Sequence, residues 1–175
     1  MRKTLIILIF IVLLASPLFA RSSYSGPTVG FGITVTSGPG WLFLTESLVM
    51  NSDLWIVNLD IAFGAHLRFN DKIRLMVGGA VRPQFLRFNC FGSTDMEYPV
   101  SIAPLKVRLI LSYFTTYTSV GFLVADGWTT FFFSAGAGLS FTFGNHFDLV
   151  VDVVDFSWWG EGIVMGSHLG FNWYF

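Results

Sequence analysis

The stretch TFFFSAGAGLSFTF, residues 130–143, decides the fold because its side chains alternate in character. Its odd positions are all apolar, with Phe131 first and Phe143 last. Its even positions are Thr, Ser and Gly, with Phe132 as the large apolar exception. A period of two places alternate residues on opposite faces of a β-strand, whereas a helix would spread both sets around its circumference. The stretch therefore predicts a strand with one apolar face and one face of small, polar side chains. Gly136 and Gly138 lie on the second face, at positions where the side chain must be small.

Two further segments repeat this pattern. Every odd position of residues 55–69 is apolar, and so is every odd position of residues 163–175 except Ser167. Weaker alternation predicts five more strands, at residues 29–35, 73–85, 103–113, 118–124 and 147–153. We therefore expect eight strands.

The composition excludes several classes of protein. Of the 175 residues, 53% are hydrophobic and only 12% are charged, whereas a soluble domain carries about 25% charged residues. Such a chain is not disordered, and its net charge of −1 gives no basic surface for nucleic acid. The single cysteine, Cys90, excludes a disulfide framework and a Cys-rich metal site. We expect no cofactor, no metal site and no nucleic-acid partner.

The apolar faces are too many and too bulky for the interior of a soluble sandwich. Strands of about 15 residues also exceed the usual 5–6 of globular sheets. In lipid, backbone N–H and C=O groups must pair within the protein, so strands persist only in a closed sheet. The sequence therefore predicts an all-β fold, an eight-stranded antiparallel up-and-down transmembrane barrel, apolar outside and polar inside. The interior of an eight-stranded barrel is just wide enough to be filled by side chains.

The first 20 residues predict a cleaved signal peptide. Arg2 and Lys3 precede an apolar run at residues 5–15, and Ala20 is a small residue at the expected cleavage site. The run is too short for a helix that spans a membrane, which needs about 20 residues. We expect residues 21–175 to form the barrel domain of an exported protein with a net charge of −3, because cleavage removes Arg2 and Lys3.

The connections between strands differ in length at the two ends of the predicted barrel. Short turns are expected at residues 70–72, 115–116 and 144–146, and longer external loops at residues 37–53, 89–99, 126–129 and 157–162. The apolar part of the first loop, residues 38–53, is expected to extend the first hairpin and to cap the barrel. Aromatic residues near the strand ends are expected to form interfacial girdles: Trp41, Trp55, Tyr98, Tyr113, Trp128, Trp158, Trp159, Trp173 and Phe175.

The C-terminal strand carries a family resemblance. Its alternating residues Leu169, Phe171, Trp173 and the terminal Phe175 resemble the assembly signal of bacterial outer-membrane β-barrels, which the barrel-assembly machinery recognises. The whole pattern resembles the small barrels of the outer membrane protein A and X type. The resemblance implies a location in the bacterial outer membrane, with outer-membrane lipids, lipopolysaccharide and the assembly machinery as partners and an unidentified surface ligand. No residues follow Phe175, so a periplasmic peptidoglycan-binding domain is not expected.

The alternation also predicts which polar side chains point into the barrel. A turn at residues 70–72 places Asp60 opposite Arg82 and Asn58 opposite Gln84, which are complementary pairs. It also places Arg68 opposite Arg74, for which Asp148 is the candidate counter-ion. The predicted inward polar residues are Asn58, Asp60, His66, Arg68, Arg74, Arg82, Gln84, Lys106, Arg108, Asp148, Asp152 and His168.

These residues leave three functions open. A closed network of ion pairs that fills the interior is expected for eight strands, with a structural or surface-exposed role in adhesion or envelope integrity. The second hypothesis is a narrow pore lined by these charges, or a conduit for a hydrophobic ligand. The third is an enzyme that modifies lipid A. It is not expected, because no His lies in an external loop beside Asp126, Asp155, Ser157 or Glu161 to activate a nucleophile.

Overall fold

A computed structural model describes residues 27–44, 55–90, 93–144, 146–160 and 162–175, and in these residues it contains nine strands. The strands are β1 (Thr28–Leu44), β2 (Trp55–Arg68), β3 (Ile73–Cys90), β4 (Ser93–Glu97), β5 (Val100–Leu111), β6 (Phe114–Ala125), β7 (Trp128–Phe143), β8 (Phe147–Trp159) and β9 (Gly162–Tyr174). No helix in the described part of the chain is long and apolar enough to cross a membrane. The predicted signal peptide at residues 1–20 lies outside the described residues.

Eight of the strands form a closed antiparallel barrel. Each strand pairs with the next along the chain, except that β3 pairs with β5 across the short β4. The first strand also pairs with the last, so that β1 closes the barrel against β9. This confirms the predicted eight-stranded barrel. The ninth strand, β4, was not predicted, and within the described part of the chain it pairs only with the end of β3. It lies in the segment that we expected to be an external loop at residues 89–99.

The two ends of the barrel are named here by their connections. The turn end carries residues 69–72, 112–113, 144 and 146 together with Pro27 and Phe175, and the loop end carries residues 98–99, 126–127 and 160. The prediction of a turn at residues 115–116 is wrong, because both threonines belong to β6. The chain turns at Ser112 and Tyr113 instead, and Ser112 adopts a positive φ of 58°. Thr side chains suit a strand, whereas Ser is a common turn residue.

The strands extend further towards the loop end than the sequence indicated. β7 begins at Trp128, so the expected loop at residues 126–129 shortens to residues 126–127. β8 continues to Trp159, so part of the expected loop at residues 157–162 belongs to a strand. β1 continues to Leu44 and pairs Trp41 with Trp55, as expected for an extended first hairpin. The expected capping contact falls on residues 45–54, which lie outside the described residues.

The outer face of the wall is apolar along its whole height. Exposed large hydrophobic residues include Phe31, Phe63, Ile102, Phe122, Phe131, Leu139, Leu169 and Phe171. A soluble monomer rarely exposes a continuous apolar surface of more than a few hundred Å². The inner face buries charged and polar side chains, so the wall has the two opposite faces that the alternation predicted.

Candidate functional site

The interior of the barrel holds the polar residues that the alternation assigned to it. Buried positions are occupied by Asn58, Asp60, His66, Arg74, Arg82, Gln84, Lys106, Arg108, Asp148, Asp152 and His168. The twelfth, Arg68, is half-buried at the turn end. The predicted register of the first turn is confirmed, because Asn58 lies opposite Gln84 and Arg68 opposite Arg74.

The largest cluster surrounds the guanidinium of Arg82. Its Nε and Nη2 donate to Asp60 Oδ2 at 2.9 and 2.6 Å. Its Nη1 donates to Asp155 Oδ2 at 3.1 Å and to Ser157 Oγ at 2.7 Å. Lys106 Nζ donates to the other oxygen of Asp60 at 2.7 Å. Arg82 is therefore held between two carboxylates contributed by β2 and β8.

Tyr117 and His168 complete this central cluster. The Tyr117 hydroxyl donates to Asp155, and His168 Nε2 lies 3.3 Å from the same carboxylate. Gly136 on the neighbouring strand leaves room for the Tyr117 ring, since a Cβ there would lie 2.3 Å from its Cε1. The ring also lies 4.5 Å from Lys106 Nζ, within cation–π range.

Two more ion pairs lie closer to the turn end. Arg108 donates to both oxygens of Asp152, at 2.9 and 2.7 Å, which is the bidentate geometry that fixes orientation most firmly. Arg74 Nη1 donates to both oxygens of Asp148, at 2.6 and 2.8 Å, as the sequence predicted. Arg68 pairs instead with Asp71 in the turn, at 2.6 Å.

The buried network is balanced in charge. Among the described buried residues, Arg74, Arg82, Lys106 and Arg108 face the four carboxylates Asp60, Asp148, Asp152 and Asp155. Each of these ions has an opposite charge within 3.1 Å. Removing one partner of such a pair costs about 3–5 kcal/mol, because the remaining charge stays buried.

An apolar layer fills the loop end of the interior, which the sequence did not predict. We call it the loop-end layer; it consists of Ile56, Leu86, Leu123, Phe132, Trp159 and Val164, which are all buried and belong to one cluster. Phe132 lies directly next to the polar network, with the Arg82 guanidinium 5.7 Å from its ring centre. The interior is therefore polar only from its middle to the turn end. Trp159, which we expected in an aromatic girdle, belongs to this layer.

Sequence reasoning missed Asp155, Ser157, Tyr117 and Tyr174 as interior residues. The pairing of β8 with β9 shifts register between Asp152 and Asp155, and Val153 and Val154 both face outwards there. This bulge reverses the parity, so odd-numbered Asp155 and Ser157 point inwards rather than into an external loop. The signal in the sequence is the pair of adjacent valines between two aspartates, since strict alternation cannot bury both carboxylates. Tyr174, next to the C-terminus, donates to Asp148 at 2.5 Å.

Within the described residues, no group of three or more His, Cys, Asp or Glu side chains could hold a metal ion. The imidazole ring of His66 stacks on the ring of Tyr174, with ring centres 3.9 Å apart. His168 contacts the Asp155 carboxylate and the Asn58 side chain, whose Nδ2 lies 3.4 Å from His168 Nε2.

No protein-family model matches this chain, and no curated protein is significantly similar to it in sequence. Some solved structures are similar to it. The attachment invasion locus protein Ail of Yersinia pestis has 16% identity and a TM-score of 0.48, and covers 87% of this chain and 100% of its own. The same protein in complex with the heparin analogue sucrose octasulfate gives 13% identity and a TM-score of 0.47, with the same coverage of both chains. A de novo designed transmembrane β-barrel has 15% identity and a TM-score of 0.35, and covers 86% of this chain and 100% of its own.

Proposed function

We propose that this chain is an integral barrel of the bacterial outer membrane whose interior is closed to ions, with a structural or surface-exposed role in adhesion or envelope integrity. The observation that carries the proposal is the contrast between the two faces of one wall. Large hydrophobic side chains cover the outside, whereas balanced ion pairs fill the inside. Water on the outer face would leave this apolar surface exposed, and lipid on the inner face would leave the charges unsolvated.

The strand lengths suit the thickness of a bilayer. The barrel strands contain 12–18 residues. A tilted strand needs about 9–11 residues to cross the hydrocarbon region. Each strand is therefore longer than one crossing of the hydrocarbon region requires. In our proposal the additional residues lie at the loop end, outside the hydrocarbon region, and β1 and β3 have the most of them. In the proposed orientation, the loop end faces the cell exterior and both termini face the periplasm.

The C-terminal strand supports assembly by the barrel-assembly machinery. Leu169, Phe171 and Trp173 expose their side chains on the outer face of β9, and Phe175, which follows the strand, is also exposed. Phe175 also joins the seam of the barrel, because its N–H donates to the Phe31 carbonyl at 2.8 Å. An exposed apolar row on the strand that closes the barrel is suited to recognition before closure.

The closed interior is the part of the proposal that separates it from a pore. A pore needs a continuous aqueous path with charges that face it. Here the interior charges pair with one another, and the six buried apolar side chains of the loop-end layer occupy the loop end of the interior. The described interior therefore favours a closed barrel over a pore.

Planar-bilayer recording tests this proposal. The purified, refolded protein is expected to insert without a steady single-channel conductance, because the loop-end layer and the ion pairs exclude a water path. A matched variant with Phe132→Gly and Trp159→Gly removes the two largest side chains of the layer but leaves the ion pairs in place, and we expect it to remain without steady conductance. Conductance of this variant would show that the ion pairs do not close the interior. Steady conductance of the unaltered protein, abolished by Arg82→Ala, would instead establish the pore.

The lipid A-modifying enzyme has weaker support. Both described interior histidines, His66 and His168, already contact other interior side chains, and Ser157 accepts a hydrogen bond from Arg82 inside the barrel. We therefore propose no catalytic role for these residues. An unchanged mass profile of lipid A in cells with and without the protein is the expected result.

A further inference from the structure

A groove lies on the outside of the barrel at the loop end, where the regular wall is interrupted. Beyond Pro99, β4 takes the place of β5 beside β3. The neighbouring β6 ends at Ala125, and β4 pairs with no strand but β3 among the described residues. The space beside β4 is a groove of about 520 Å³, which falls in the size range of small-molecule sites. We call it the rim groove.

The rim groove combines an apolar floor with an acidic and aromatic rim. Ile102 and Val124 belong to the outer face of the wall, and Glu97, Tyr98, Asp126 and Trp128 line the groove above them. Tyr98 and Trp128 are largely exposed, at 62% and 43%. The Tyr98 ring is supported from one side by the edge of Phe85, with ring centres 5.7 Å apart.

The charge of the lining indicates which class of ligand the rim groove can bind. Among the described residues, the lining contains two carboxylates and no Lys, Arg or His. Neither carboxylate forms an ion pair with another described side chain. An anionic lipid phosphate would therefore meet the negative charge of the two carboxylates, whereas a cation is attracted both by the carboxylates and by the faces of Tyr and Trp rings.

We propose that the rim groove binds an amphiphile that carries an ammonium head group on an aliphatic chain. The ammonium lies between Glu97 and Asp126 against the rings of Tyr98 and Trp128, and the chain follows Ile102 and Val124 along the outer wall. This inference rests on the proposed function, because the groove lies at a lipid interface only if the barrel spans the membrane.

The test uses the full barrel, refolded in dodecyl maltoside micelles and labelled with ¹⁵N. The probe is dodecyltrimethylammonium, and NMR shifts are followed at the Tyr98 and Asp126 amides and at the Trp128 indole N–H. We expect saturable shifts at these positions. Tetramethylammonium lacks the chain and dodecyl sulfate reverses the charge, so each is expected to bind at least about tenfold more weakly.

Substitutions locate the site. The double variant E97Q/D126N is expected to weaken binding about tenfold, and Trp128→Leu about fivefold. Matched controls at the turn end are Asp71→Asn and Tyr113→Leu, which remove an exposed carboxylate and an exposed ring and are expected to change affinity by less than about twofold. All of these side chains are exposed, so the amide spectrum of the remaining barrel should be unchanged.

Three results would overturn the proposal: equal binding of dodecyl sulfate, unchanged affinity in E97Q/D126N, or shifts only with lipopolysaccharide in the presence of calcium. Each of these can occur in a correctly inserted barrel and leaves the proposed function intact. A processed chain that stays soluble and folded without detergent would contradict the proposed function itself.

Discussion

Towards the turn end, the interior of the barrel is filled with ion pairs, whereas at the loop end it is filled with apolar side chains. Arg82 bridges Asp60 and Asp155, and its guanidinium lies only 5.7 Å from the ring centre of Phe132, a side chain without a hydrogen-bonding group. The inward faces of β2, β3, β6, β8 and β9 contribute side chains to both levels. An inward-facing side chain therefore need not be polar. It needs matching neighbours across the interior: an opposite charge for an ion, and apolar atoms for an apolar side chain.

The two levels depend on different physical terms. In the polar network, each charge is stabilised by a specific opposite charge, so that a loss on one side leaves an unpaired ion. In the loop-end layer, the stabilisation comes from burial and packing, so that a loss leaves a cavity. The predictions below separate these terms.

The largest effect is expected for Asp155→Ala. This change leaves Arg82 with one carboxylate and removes the acceptor of the Tyr117 hydroxyl. We expect the free energy of unfolding in micelles to fall by about 3–5 kcal/mol, as measured by urea titration. Asp71→Ala, which breaks an exposed pair with Arg68, is the control and should cost less than about 1 kcal/mol. Equal losses in the two variants would show that the interior ions are solvated.

A smaller effect is expected for Leu123→Ala in the loop-end layer. The side chain is fully buried, so its truncation should lower the free energy of unfolding by about 3 kcal/mol. The adjacent Val124 faces outwards, and Val124→Ala is expected to cost only about 1 kcal/mol. If Val124→Ala were the more damaging change, the assignment of the two faces of β6 would be reversed.

The smallest effect is expected when one ion pair is replaced as a whole. Arg108→Met together with Asp152→Leu exchanges a buried bidentate pair for apolar side chains, which leaves no unpaired charge. We expect the double variant to lie within about 1 kcal/mol of the unaltered protein, although each single change costs several times more. A double-mutant cycle measures the difference. Additive losses would mean that the two side chains are independent.

Much of this architecture follows from the sequence. The alternation at residues 55–69 and 130–143 predicted the faces of two strands, and the turn at residues 70–72 fixed a register that places Asp60 on Arg82. These features are local, since they need only a period of two and one turn. The contact between Arg74 and Asp148 was also anticipated, from their similar depth.

The features that the sequence did not reveal depend on non-local geometry. The bulge at Val153 and Val154 adds a residue to one strand. The spacing of Asp152 and Asp155 is a local signal for it, but the pairing with β9 is needed to show that both carboxylates face inwards. The loop-end layer is formed by apolar residues of different strands. Within its own strand each of these residues, such as Phe132, is a single exception to the alternation of apolar and polar positions. The strand β4 exists only because β3 continues far enough to pair with it.

The most direct test of the assignment of faces is accessibility along β7 in lipid vesicles. Single cysteines are introduced at each position from 130 to 143 in a Cys90→Ser background, spin-labelled, and their collision rates with oxygen and with a water-soluble nickel complex are measured. We predict a period of two, with high oxygen accessibility at odd positions such as 131 and 139 and low accessibility to both reagents at even positions such as 132 and 134. High accessibility to the nickel complex at the odd positions, with no dependence on vesicle lipid, would contradict the membrane barrel.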